Sequence, residues 1–308
     1  FEMSDVTTPT MNAVGGLDPA HAEELPPADE KHGLGLGAWL SIGWLAFITL
    51  ASTLAPLFLP DPEAVNPLLS RNGPSGSAWL GYDATGRDIL SRVINGSKWT
   101  LLIALGAVLI GVVVGGFLGL VSGYFRGGFD AVLSPSFNIM LAFPQLVLAL
   151  LLVSVFANGA DDSVAKRIFV LIVALGIIAI PLLARITRAN TMAWADRDFV
   201  MAAKAMGAKP WRVLFRDVLP NVVPAMMAIT LLAVGVAVVA EAGLAFLSLG
   251  VKLPTPSWGN IMAEGKLELR RVPMMVIAPT ICIFFTVMSL NFLGDVIQKR
   301  FNVRESLL

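Results

Sequence analysis

FVMAAKAMGAKPWRVLFRDVLPN, residues 199–221, is a polar, helix-patterned stretch between two long apolar runs, and the rest of the chain is read outward from it. Phe199, Ala202, Ala203 and Met206 fall at i, i+3, i+4 and i+7, which is one face of a helix. The two central alanines keep that face thin, so the backbone can sit deep in a groove. Gly207 can take the left-handed conformation that ends a helix, and Pro210 suits the first turn of the next. Trp211, Leu214, Phe215 and Val218 repeat the same spacing before Leu219-Pro220-Asn221 stops the second helix and starts another span. Periodicity alone favours a helix lying on lipid headgroups, although such helices usually carry bulkier anchors than Ala-Ala. The alternative is a surface made to be gripped by another protein.

The flanking runs decide the class. Of the 308 residues 56% are hydrophobic and only 14% charged, against roughly 25% charged in soluble domains. Runs without Asp, Glu, Lys or Arg cover 33–60, 99–125, 131–160, 168–184, 218–240 and 272–294. Each approaches or exceeds the roughly 20 residues that cross a hydrocarbon core. The shortest can borrow Arg167 and Arg185, which snorkel from its ends. This predicts an all-α integral membrane protein of six spans, near 36–59, 99–123, 132–157, 168–185, 221–250 and 273–294. No alternating ten-residue segments of a membrane barrel occur.

Around the spans, residues 1–33 read as an acidic, proline-containing tail with little to bury, and 297–308 as a short second tail. The transmembrane body is 34–296, with a long loop at 61–98 and the interrupted region at 193–220. Placing that region in the cytoplasm puts both tails there and divides the cations twelve against ten. Seven of them lie within residues 185–216, which favours that orientation. Zero net charge implies no nucleic-acid partner. The one cysteine, Cys282, reads as a small buried hydrophobe.

Several residues within the spans are candidates for function. Gly111, Gly115, Gly119 and Gly123 form a four-residue ladder, a tight helix contact that either slides or is static packing. Pro144, between Phe143 and Gln145, predicts a kink in the third span, with Asn138 one to two turns earlier. Asn138, Phe143, Gln145 and Glu241, the only charge in the run 218–251, are candidates for a translocation path, or else bond neighbouring helices. Asp295 lies at the depth of Arg185 and Arg188, which suggests a structural ion pair. In the loops, Ile89, Leu90, Val93 and Ile94 predict an amphipathic helix at the interface before the second span. PTPSWGN, residues 254–260, offers Pro254, Pro256 and Trp258 as a docking face for an extracytoplasmic partner.

AAKAMGAKPWRVLFRDVLP resembles the Glu-Ala-Ala loop of ABC importer permeases: Ala-Ala, a glycine four residues on, then Leu-Pro twelve further. WLGYDATGRDILSRVINGSK, FPQLVLALLLV, LLARITRAN, EAGLAFLSLGVKLPTPSWGN and NFLGD extend the resemblance to the dipeptide/oligopeptide branch, C-type subunit. The resemblance implies a type I importer permease of the bacterial inner membrane, multi-pass, with both termini cytoplasmic. It also implies a coupling helix carrying Phe199, Met201, Ala202, Ala203, Met206, Gly207, Ala208 and Trp211. Its implied partners are a homologous B-type permease, two nucleotide-binding ATPase subunits that hold ATP and Mg, an extracytoplasmic substrate-binding protein, and membrane lipid. The chain departs from the family pattern at Met201, where the motif opens with an acid, and at Asp217, where many families have isoleucine.

The chain has no phosphate-binding loop of the G-x-x-x-x-G-K-[ST] kind, no His/Cys metal cluster and no nucleophile–base pair. It is therefore expected to be no enzyme, to bind no cofactor or metal itself, and to draw energy from a partner. The rival reading is a stand-alone, proton-coupled secondary transporter using Glu241 or Asp295. That reading calls for internal repeats, which the two halves do not show.

Overall fold

A computed structural model describes residues 35–156 and 163–305, without the side chains of 301–305. The tail expected at 1–33 lies outside the described residues. The described chain forms helices only: α1 Leu36–Phe58, α2 Ile89–Phe125, α3 Gly128–Ala142, α4 Gln145–Phe156, α5 Val164–Ala195, α6 Asp198–Ala205, α7 Pro210–Phe246, α8 Trp258–Glu268 and α9 Met274–Glu305, plus a 3₁₀ turn at Pro67–Leu69. Helices α1, α2, α5, α7 and α9 are each long and apolar enough to cross a membrane. The α3–α4 pair makes a sixth, bent by 91°. Pro144 causes the break, because it has no N–H to donate and holds Phe143 in an extended conformation (φ −75°, ψ 137°).

Local chemistry sets the helix starts. The Asp88 carboxylate caps α2 by accepting from Ser91 N–H at 2.7 Å, so that helix begins at Ile89. The interfacial helix expected at 89–94 is therefore the first turns of the second span itself. Ile89 and Val93 are buried there beside Trp258 and Ile261 rather than lying on lipid. Ser257 and Asn260 close a reciprocal capping box at the start of α8. The stop expected at Leu219-Pro220 is absent: a π turn over Leu214–Val218, with Leu219 N–H bonding Leu214 C=O, carries α7 through the proline.

Helix α2 lies against α5 along the glycine ladder. A Cβ on Gly111 would meet Ala179 and Leu183, and one on Gly115 the carbonyl of Ile180. On Gly119 it would meet the carbonyl of Ala184, and on Gly123 that of Arg188. At Gly115, Gly119 and Gly123 the obstacle is backbone, which cannot give way as a flexible side chain can, so the two helix backbones are in direct contact over about two turns. Trp44 Nε1 donates to Thr286 Oγ1 at 3.1 Å and ties α1 to α9. Three buried clusters follow: one around Ile89, Trp258 and Met275, one around Ile103, Leu171 and Leu244, and one around Leu120, Tyr124, Val200 and Leu214. The last cluster lies at the end of the bundle carrying the 196–218 segment (the segment end), and the first runs from the opposite, loop end inward to Leu183 and Leu290.

Candidate functional site

The segment has an inner and an outer surface, divided differently from the sequence pattern. Val200 is fully buried and Ala203 half-buried, so the inner stripe of α6 runs through these two, three residues apart. Phe199, Met201, Ala202 and Met206 face outward, Met206 with 81% exposure. Ala203 thus leaves the face expected for it, because bulky Val200 beside it supplies the inward anchor. In the first turns of α7, Val213, Leu214 and Val218 are buried, while Trp211 and Phe215 are exposed and stacked with ring centres 5.8 Å apart. Ala208 is half-buried against the inner cluster.

Gly207 joins the two helices at φ +80°, and no atom lies within 4 Å of where its Cβ would be. Ala208 N–H bonds Ala203 C=O at 3.1 Å across this turn, a glycine-dependent helix end. The tip of α2 supports the segment at three points. The Lys204 ammonium lies 4.9 Å over the Tyr124 ring, Trp211 packs on Phe125 at 4.8 Å, and Arg126 pairs with Asp196 at 2.7 Å. The result is an exposed apolar and cationic platform on a buried base.

The polar residues of the spans divide into three groups. Glu241 is 0% exposed; Thr100 Oγ1 donates to it at 3.2 Å and Ser257 Oγ at 2.9 Å. Trp258 N–H donates to Thr100 Oγ1 and Asn260 N–H to Ser257 Oγ, so every hydroxyl is used twice. Glu241 therefore anchors the turn before α8 to α2 and α7, which corrects its assignment to a translocation path: a side chain enclosed by its own subunit lines none. Asn138, Phe143 and Gln145 are exposed on α3, at its break with α4 and at the start of α4. Arg188 pairs not with Asp295 but with Asp130, through contacts of 2.5 and 2.7 Å, and Asp130 also accepts from Ser122 and Ser134. Depth matching missed Asp130 because the α2–α3 turn brings it back across the bundle. Among the described residues Asp295 and Arg185 form no ion pair, and both are exposed.

At the loop end, sequence periodicity missed a buried charge cluster. Arg92, 0% exposed, contacts Asp83 and Glu264 at 2.6 Å each, and Arg87 contacts the same two carboxylates at 2.7 and 3.0 Å. Burial pushes the Asp83 carboxyl up, but hydrogen bonds from Arg87 N–H and Thr85 and the charges of Arg92 and Arg87 outweigh it, leaving its pKa below the ordinary carboxylate value. The signal was present in D-x-x-x-R-x-x-x-x-R, residues 83–92, but Glu264 lies far away in sequence. Trp258 is fully buried and donates to Val93 C=O at 2.9 Å, and Pro256 is buried beside it. Both are corrected as docking residues, since bulky apolar groups in a turn are its core; Pro254 alone of the three is exposed. Among the described residues no group of three His, Cys, Asp or Glu is placed to hold a metal.

A bent third span, a glycine-locked helix pair and a helical platform between two spans make up a multi-pass membrane protein. Residues 111–306 match the family model described as the binding-protein-dependent transport system inner membrane component, and the chain belongs to that family. It is 35% identical over 223 residues to the glutathione transport system permease protein GsiD of Pectobacterium atrosepticum, covering 72% of this chain and 71% of that one. It is 32% identical over 260 residues to the dipeptide transport system permease protein DppC of Alkalihalophilus pseudofirmus, covering 83% of each. Its fold is similar to a chain of the inward-facing MetNI methionine ABC transporter, with a TM-score of 0.56 at 19% identity, over 69% of this chain and 97% of that one. The chain is thus a permease subunit of the type I importer fold.

Proposed function

We propose that this chain is the C-type permease of an ATP-driven importer for dipeptides, oligopeptides or similar small solutes. In this reading it forms the translocation path with a homologous B-type permease. Separate ATPase subunits hold ATP and Mg, and an extracytoplasmic binding protein delivers the solute. The segment end is cytoplasmic, with both termini on that side. The exposed platform of Phe199, Met201, Ala202, Met206 and Trp211, resting on buried Val200, Val213 and Leu214, carries the proposal. A membrane-surface helix would turn its apolar face inward to lipid and its cations outward. Here large apolar groups point away from the bundle beside exposed Lys204, Lys209 and Arg212, as on a surface covered by another protein.

ATP-driven closure of the ATPases draws on the platform, and the attached spans rock to open the path alternately to each side. The broken third span supplies path-lining groups from Asn138 and Gln145, because polar side chains exposed at that depth need water or protein as a neighbour, and from Phe143 at the break between them. The Met206→Asp substitution tests the platform. The expected result is normal membrane insertion with loss of ATPase co-purification. Full retention of the ATPase subunits would remove the platform from the interface.

A further inference from the structure

We infer that Tyr124, Phe125 and Arg126, the tip of α2, are the socket through which the segment moves the bundle. The inference rests on the proposed function and adds where ATPase-driven motion enters the membrane domain. An eight-residue helix such as α6 is marginal by itself, and only Val200 in it is buried, so its position is set by what it rests on. Contacts from three separate parts of the segment converge on three consecutive residues. Asp196 pairs with Arg126, the Lys204 ammonium lies over Tyr124, and Trp211 packs on Phe125. Leu120 and Tyr124 complete the buried cluster that receives Val200, Val213 and Leu214.

The tip does not move independently of α5, because Gly115, Gly119 and Gly123 put the two backbones in contact. Asp130 adds the start of α3 through Ser122 and Arg188. Segment, α2, α5 and the start of α3 therefore form one body at this end. Helix α7 joins that body through the π turn at Leu214–Val218, a place where a helix changes direction easily. A pull on the platform then displaces α2 from its tip up to its own π turn at Gly111–Gly115, where this helix of 37 residues, about 55 Å long at 1.5 Å per residue, can bend. Its far end is the buried Asp83, Arg87, Arg92 and Glu264 cluster, which fixes α2 to α8. Tyr124, Phe125 and Arg126 are thus positioning residues that pass displacement from the segment to α2, α5 and the start of α3.

The test uses the full complex of both permeases and ATPases in lipid nanodiscs and proteoliposomes, reading ATP hydrolysed per solute transported. The Y124L/F125L double variant keeps apolar bulk and removes both rings. Its ratio is expected to rise about fivefold or more, the lower end of measured coupling energies, while Tyr124→Phe stays within about twofold of the parent. An unchanged ratio in the double variant overturns the socket. A second measurement does not depend on assembly of that variant. With Cys282→Ser as background, Arg126→Cys and Asp196→Cys are bridged by a short bismaleimide. Bridging is expected to restore the ratio lost in the unbridged pair, since tip and segment move together. If bridging instead stops transport, the two move apart during the cycle and the inference fails. Absence of ATP-driven uptake by the parent complex would fault the function reading, not the socket.

Discussion

Gly207 allows a prediction with a worked magnitude. Its φ of +80° is left-handed, and nothing lies within 4 Å of the place a β-carbon would take, so a substitution costs backbone strain and no steric overlap. Left-handed backbone costs an ordinary residue about 1–2 kcal/mol, and Asn is tolerated there better than most. A β-branched residue lies at or above the top of that range. The strain is relieved by unwinding the turn, which breaks the Ala208 N–H to Ala203 C=O bond and separates the two halves of the platform. If the folded platform is the form that binds the ATPase, apparent affinity falls in proportion to its population. For a platform folded only a minor fraction of the time in the free permease, the predicted rise in apparent Kd is about threefold or less for Gly207→Asn, about fivefold for Gly207→Ala and more than about tenfold for Gly207→Val; a platform folded most of the time gives smaller rises in the same order. The assay is titration of purified ATPase onto the permease pair in nanodiscs, with insertion checked separately. Losses that rise with side-chain size, Gly207→Ala mildest and Gly207→Asn above it, would refute the reasoning, because they would show the site to be sensitive to volume rather than to dihedral angle.

Three further outcomes follow from the buried contacts. Glu241→Leu strands the Thr100 and Ser257 hydroxyls at about 1–3 kcal/mol each, so residues 254–260 should become open to protease while Glu241→Gln stays largely protected; equal protection in both would contradict the anchor. Gly119→Leu drives a side chain into the Ala184 carbonyl and Thr187, and should lower thermal stability by about 1–3 kcal/mol or more as α2 and α5 part; a neutral effect would show that the ladder is not in contact. Asp83 titrates lower when folded than when unfolded, so its contribution is present above about pH 4 and is lost as pH falls through the folded value. Proteolysis of the 61–98 loop should therefore rise below that pH in the parent. In Asp83→Asn, digestion should already be raised at neutral pH by the unbalanced charge of Arg92.

Much of the fold was legible because lipid imposes a simple rule: each span must bond its own backbone and show apolar side chains. The ladder in α2 and the break at Pro144 were equally plain, since glycine spacing and a missing N–H act locally. What stayed hidden was set by tertiary neighbours. Ile89 and Val93 have the same spacing whether they face lipid or a buried tryptophan, so the start of α2 read as a surface helix. Glu241 looked like a path residue because its partners Thr100 and Ser257 are weak signals, and only Ser257 lies nearby in sequence. Arg188 was matched with Asp295 by depth, whereas the tight turn at Arg126 and Gly127, both at positive φ, returns Asp130 to it. In the segment, the period placed the helices but not their rotation, so Ala203 was set on the outer face, and Trp211, Leu214, Phe215 and Val218 were grouped on one face that the structure divides.

The most direct test of the central claim is solute uptake by proteoliposomes containing this chain, with and without its sister permease and ATPases. Peptide uptake that needs ATP, the binding protein and all the membrane partners, and that is abolished by Met206→Asp, is the predicted result. Uptake by this chain alone under a proton gradient would contradict the account.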